Sequence, residues 1–400
     1  MTETPEFPLA RGRCPFDPPP ELGRIQREEP VTRVRLWDGS TPWLVTRYDD
    51  VRQVLADPRI SADSDHPGYP AQSAGMRARR RRAKAFISMD DPEHAEQRRL
   101  LQPSFMVKKM QALRPRIQAI VDDLIDEMLA GPKPADLVAA FALPLPSLVI
   151  CELLGVPYAD RAFFHRVSRV LVSRDTTPDD ALAATEELLA YLGDLVDQKN
   201  ADPGEDLISR LAVGQLRTGA MTREQIASMG QLLLVAGHET TANMIALGTV
   251  ALLQHPEQLA ELRDAEDPQL IVNAVEELLR YLTITHSGRR RVAREDVEVG
   301  GRLIRAGEGV IAAGDIANRD ATAFPAPDDL DLHRKARHHV AFGYGVHQCL
   351  GQPLARVELQ VVYGTLYRRV PTLALARPIE ELRFKHDMAV YGVHELPVTW

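Results

Sequence analysis

Phe342-Gly343-Tyr344-Gly345-Val346-His347-Gln348-Cys349-Leu350-Gly351 is the stretch on which the fold turns. One cysteine sits in a loop with three glycines, and a helical pattern begins at about Pro353. Glycine lets a backbone turn through positive φ and approach a bound group closely. A loop built this way can aim several backbone N–H groups at one sulfur, which stabilises a thiolate and tunes the metal it ligates. The other two cysteines read as small buried hydrophobes. Cys151 lies in the apolar helical run Leu148-Val149-Ile150-Cys151, and Cys14 in a Pro-rich lead-in.

Phe342, Gly345, Cys349 and Gly351 together meet the pattern Phe-x-x-Gly-x-x-x-Cys-x-Gly. Here the sequence resembles the cytochrome P450 family, in which a cysteine thiolate ligates haem iron. The resemblance implies Cys349 as the metal ligand, with Phe342, Gly343, His347 and Gly351 framing a haem b. It implies a mainly α fold with small β-sheets, arranged as a single haem domain over residues 1–400. Its motifs run in order along nearly the whole chain, and the likeness is nearest to soluble actinomycete members, which hydroxylate bulky secondary metabolites, steroids and xenobiotics.

A second landmark is a helix expected over residues 223–254. Thr222 and Gln225 offer a capping box, and His255-Pro256 marks the stop. Its middle reads Ala236-Gly237-His238-Glu239-Thr240-Thr241. Glycine and two threonines are poor choices for a helix interior, and a local rule broken inside a strong helix is where function is expected. The backbone there is expected to open locally and admit water. By resemblance this is the oxygen-side motif. It implies Ala236 against the haem, Thr240 as hydrogen-bond donor on the oxygen side and Glu239 as proton source.

Elsewhere the residues are informative in pieces. Residues 31–46 read as a hairpin about Asp38-Gly39, followed by a short helix that Asp49 could cap. Residues 60–85 show no periodicity and include the basic run Arg77-Ala78-Arg79-Arg80-Arg81-Arg82-Ala83-Lys84, which reads either as solvated surface or as an attractor for a substrate carboxylate. Pro92 suits a first helical turn with Asp91 as cap, which puts His94 and Arg98 on one face. Residues 107–199 are mostly amphipathic helix. Glu277 and Arg280 share a face of a helix ending near Tyr281. Residues 297–301 read as a strand and tight turn, and residues 396–400 as an edge strand. By resemblance His94, Arg98 and Arg291 contact the haem propionates, while Glu277 and Arg280 hold the ligand-loop scaffold.

The chain has 400 residues, a net charge of 48 − 56 = −8 and three cysteines. That balance argues against bulk nucleic-acid binding, and the odd cysteine count argues for a reducing compartment. No secretory signal or membrane span is read, so a cytoplasmic, monomeric protein is expected. No nucleotide fingerprint is present. Electrons are therefore expected from an iron–sulfur ferredoxin and its NAD(P)H reductase, docking on Arg99, Lys108, Lys109 and Arg356. The family's pocket positions imply contacts from Leu233, Leu234, Ile284, Thr285, Met388 and Val390, hence a bulky hydrophobic substrate, with O2 as co-substrate. Two other readings stay open on residues alone: a haem sensor or carrier that does not activate oxygen, and a cysteine hydrolase using Cys349 with His347 as base.

Overall fold

The computed structural model describes residues 4–80, 82 and 84–400. Arg81 and Ala83 of the basic run therefore lie outside the described residues. The long helix starts where its capping box directs. The Thr222 side chain accepts from the Gln225 N–H at 3.2 Å, and the Gln225 side chain accepts from the Thr222 N–H at 2.8 Å. It runs Arg223–Leu253, 31 residues, or ~46 Å at 1.5 Å per residue. It is buried on nearly every side, as expected of a helix apolar all round. Its neighbours include helices Pro144–Leu154, Pro178–Ala201 and Gln352–Arg369. The last of these follows the Cys349 loop. The Tyr363 hydroxyl on it donates to the Met244 carbonyl at 2.6 Å and lies over Gly248, where any Cβ would collide with it.

The β structure is small. Val31 pairs with Val45 and Arg33 with Trp43 across the expected hairpin, and Gly39 takes φ +79° at its turn. This hairpin joins a five-stranded sheet in the order Val31–Arg33, Trp43–Val45, Gly309–Ala312, Arg289–Ala293, Ile60–Ser61. Strands Val297–Val299 and Arg302–Ile304 form a second hairpin around the expected tight turn, where Gly300 and Gly301 both have positive φ. Among the described residues, no helix is long and apolar enough to cross a membrane.

Five local expectations need correction. Asp49 does not cap helix Tyr48–Ala56; the Tyr48 N–H instead donates to Asp320 at 2.9 Å, a distant carboxylate that no local pattern reveals. Pro92 itself is the N-cap residue of Glu93–Leu101, because the Asp91 carboxylate is taken by His94 at 2.9 Å. The aperiodic stretch 60–85 contains a two-residue strand and the helix Ala74–Arg79, whose cap is Ser73. Pro397–Thr399 is the middle strand of its sheet, not an edge, because its proline stands at the first position and so costs the ladder little. Cys151 is buried, but Cys14 is exposed, since the lead-in carries it across the surface.

Candidate active site

Two left-handed glycines shape the cysteine loop: Gly343 at φ +77° and Gly345 at φ +71°. Gly343 also allows close packing, since a Cβ there would sit 3.0 Å from Arg289 Nε. The Cys349 N–H closes the loop on the Phe342 carbonyl at 2.8 Å. Cys349 presents open surface, yet burial pushes its thiol up from the ordinary range, opposed by the Gly351 N–H, Arg289, Arg98 and the Gln352 N–H. Backbone N–H groups are thus aimed at the sulfur, as the glycine spacing predicts.

Cationic and ring nitrogens gather beside this loop. The His94 and His347 rings lie 4.0 Å apart between centroids. Arg98 donates to the Gln348 carbonyl at 2.6 Å and Arg289 to the Ala341 carbonyl at 2.5 Å, while Arg291 donates to the Arg290 carbonyl at 2.8 Å. The strand period of two puts Arg289 and Arg291 on one face and Arg290 on the other. Sequence spacing left Arg289 unassigned; its contact with Gly343 joins it to the loop. His94 Nε2, His347 Nδ1 and Arg289 Nη1 are buried with no hydrogen-bond partner among the described residues. Burial, reinforced by Arg291, His94 and Arg98, pushes the His347 ring down to about 3. Buried cations with only carbonyls for company call for an anion. An open sulfur beside unpartnered donors fits an iron porphyrin bearing two carboxylates.

Ala236 is exposed and Thr240 partly so, in the middle of an otherwise buried helix. The helix is unbroken here, against the expected local opening. The Thr240 hydroxyl donates to the Ala236 carbonyl at 2.7 Å, a back-bond that satisfies it without parting the ladder and that takes up the proton expected to be donated on the oxygen side. Glu239 is buried, with Lys385 Nζ 3.5 Å and Asn243 Nδ2 3.3 Å from its Oε2. Burial alone would raise this carboxyl, but Lys385, His238 and Asn243 bring it below its ordinary value. Lys385 was missed from sequence: a single lysine in an irregular loop carries no pattern that points to a partner 146 positions away. Behind this wall, burial pushes the Glu358 carboxyl up to about 8, with Thr241 as its hydrogen-bonding neighbour.

The sequence pattern of the family described as "Cytochrome P450" matches residues 188–370. Cytochrome P450 GfsF of Streptomyces halstedii is 55% identical over 401 residues, covering 100% of this chain and 97% of that one. The chain belongs to the cytochrome P450 family. Its fold superimposes on the GfsF crystal structure with a TM-score of 0.93, covering 99% of this P450 and 100% of GfsF. The C21 methyl hydroxylase MycCI of Micromonospora griseorubida, bound to mycinamicin VIII, gives a TM-score of 0.93 at 41% identity, covering 99% and 100%. Pentalenic acid synthase of Streptomyces avermitilis is 52% identical over 394 residues, covering 98% and 97%. The mainly helical P450 fold and the oxidoreductase class expected from the sequence are both borne out, and neither the sensor nor the hydrolase reading finds support among these relatives.

Within this P450 the six expected pocket residues fare differently. The two segments that carry Ile284 and Thr285, and Met388 and Val390, are joined: the Tyr391 N–H bonds the Ile284 carbonyl at 2.8 Å, and the His286 ring bonds the Met388 carbonyl at 3.0 Å. Leu233 keeps a little exposed surface, but Leu234 has none. Leu234 is therefore core rather than pocket wall, because the helix turns it about 100° from its neighbour.

The Glu277–Arg280 pair is fully buried and doubly bonded, at 2.7 Å for each contact. Arg280 also donates to the carbonyls of Asn318 and Pro327, and Glu277 accepts from the Asp331 N–H and Arg334. The pair thus clasps the segment leading to the cysteine loop. Arg356 is not a free surface charge as expected. It is bound to Glu276 at 2.5 Å and 3.0 Å and lies 4.7 Å from the Phe342 ring centre.

Proposed function

We propose that Cys349 ligates the iron of a haem b whose propionates are met by His94, Arg98, Arg291, His347 and Arg289. The observation that carries this is the open Cys349 sulfur under backbone N–H groups, with orphaned His94, His347 and Arg289 nitrogens beside it. Bound there, a thiolate haem activates O2 for insertion into an unactivated C–H bond. The protein's own residues supply position and protons. Ala236 offers a small flat surface for the ring. Thr240, anchored on the Ala236 carbonyl, keeps its oxygen's lone pairs free to hold a water on the oxygen side. Glu239, a carboxylate at rest beside the Lys385 ammonium, relays protons by taking one up from water and releasing it inward. Leu233, Ile284, Met388 and Val390 exclude bulk water and favour a bulky hydrophobic metabolite.

Arg99, Lys108 and Lys109 are exposed, beside exposed Met106 and Val107. They form the proposed docking face for an acidic ferredoxin fed by an NAD(P)H reductase, in the cytoplasm. The test is spectral. The reduced, carbon-monoxide-bound protein is expected to show the red-shifted Soret band of a thiolate haem, and Cys349→His to lose it. A colourless reconstituted protein, or an unchanged band in that variant, overturns the assignment.

A further inference from the structure

The basic run divides once its partners are known. Arg77 pairs with Asp38 at 3.1 Å, Arg82 with Glu186 at 2.9 Å, and Lys84 with Asp63 and Asp65 at 2.9 Å each. These are ordinary surface contacts. Arg79 and Arg80 have no carboxylate partner among the described residues: the Arg80 guanidinium bonds the Ser64 carbonyl at 2.7 Å and stacks 4.1 Å over the Tyr69 ring. Both line instead a cavity of ≈ 270 Å³ between residues 64–80, residues 85–88, Arg290 and the first half of the long helix.

Four side chains in this cavity carry buried polar atoms with no partner among the described residues: Arg79 Nε, Arg290 Nε, Ser64 Oγ and both amide atoms of Gln231. Arg290 and Gln231 are 7% and 4% exposed. Arg290 points away from the propionate donors, since it occupies the opposite face of its strand from Arg289 and Arg291. Its guanidinium spends two donors on the carbonyls of Pro70 and Ser287. A guanidinium stays charged, and leaving several of them desolvated without an anion is costly. The opposite wall is apolar, formed in part by Leu232 and Val235 of the long helix.

We infer that this cavity is a substrate-anion site: Arg79, Arg290 and Gln231 hold a carboxylate at one end of the substrate while its apolar body lies along the long helix toward Thr240. This rests on the oxygenase reading and deepens it to the class of bulky apolar acids. Nine residues separate Gln231 from Thr240, which is about 13 Å along the axis at ~1.5 Å each and about half a turn around it, so the oxidised carbon lies at least that far from the carboxylate and the body passes over the Leu232 side of the helix to reach it. Arg80 adds long-range attraction, and no acidic side chain among the described residues lines the cavity.

The test uses the haem-loaded enzyme and three matched pairs: decanoic, adamantane-1-carboxylic and dehydroabietic acid, each beside its methyl ester. Affinities come from calorimetry together with spin-state titration. At least one acid is expected to bind roughly ten- to a hundredfold more tightly than its ester, the range for charge-assisted hydrogen bonds. That ratio is expected to collapse toward one in Arg79→Gln and to fall several-fold in Gln231→Leu, each variant first shown to retain the thiolate-haem spectrum. Equal binding of acid and ester throughout the series, or an undiminished ratio in the loaded variants, overturns the site. Loss of the oxygenase reading is separable, because it shows as a wild-type protein lacking the thiolate-haem band, while calorimetry still reads the ratio.

Discussion

Lys385 Nζ lies 3.5 Å from Glu239 Oε2, both side chains about nine-tenths buried. A cation from an irregular loop near the C-terminus thus reaches the acid in the middle of the longest helix. Burial opposes ionisation of Glu239 and the Lys385 charge favours it, so removing the lysine leaves burial unopposed. Lys385→Met is expected to raise the Glu239 carboxyl and move the corresponding limb of the kcat–pH profile to higher pH, with Lys385→Arg restoring it. Superimposable profiles for wild type and Lys385→Met would remove Lys385 from proton delivery.

Thr240→Ala removes a hydroxyl that bonds the Ala236 carbonyl but leaves every other ladder contact in place. Haem content and the carbon-monoxide spectrum are expected to be unchanged, while a larger share of NAD(P)H is consumed as hydrogen peroxide. Tight coupling of electrons to hydroxylated product in this variant would sink the assignment.

Acid stability should report Glu276. Burial would raise its carboxyl, but His339 and Arg356 pull it from 4.5 to about 2. Its stabilisation is therefore present above pH 4.5 and lost as pH falls toward 2, and is worth roughly 3 kcal/mol at about 1.4 kcal/mol per unit. Glu276→Gln is expected to flatten the unfolding free energy across that window, measured by denaturant titration at each pH. The same acid limb in both proteins would disprove it.

Arg280→Met takes one of two cations from buried Glu277, leaving it Arg334, and frees the carbonyls of Asn318 and Pro327. Breaking a buried pair from one side costs about 3–5 kcal/mol. The expected outcome is a lower thermal midpoint with reduced haem retention, and Glu277→Gln should be milder because an amide still accepts from Arg334. A midpoint within a degree of wild type would show that the clasp is dispensable.

Much of this was legible in local pattern. The capping box of Thr222 and Gln225, the glycines of the cysteine loop and the Gly300-Gly301 turn each encode their geometry within a few residues, and each forms where the spacing puts it. What escaped was long-range. Asp320 capping helix Tyr48–Ala56, Lys385 meeting Glu239 and Arg356 turning onto Glu276 are pairings whose members carry no mutual signal in the chain. Arg289 to Arg291 show the boundary case: three identical residues in a row are indistinguishable as letters, and only the pleat sorts them between two sites.

Tyr363 seated over Gly248 has a practical corollary. The helix behind the sulfur and the helix bearing the acid and hydroxyl touch through a strut with no slack, because the glycine has nothing left to shrink and the phenol is pinned to Met244. Loops that shape the substrate chamber attach elsewhere. Chimeras that trade those loops with relatives should therefore change what is oxidised while the reactive gap keeps its width.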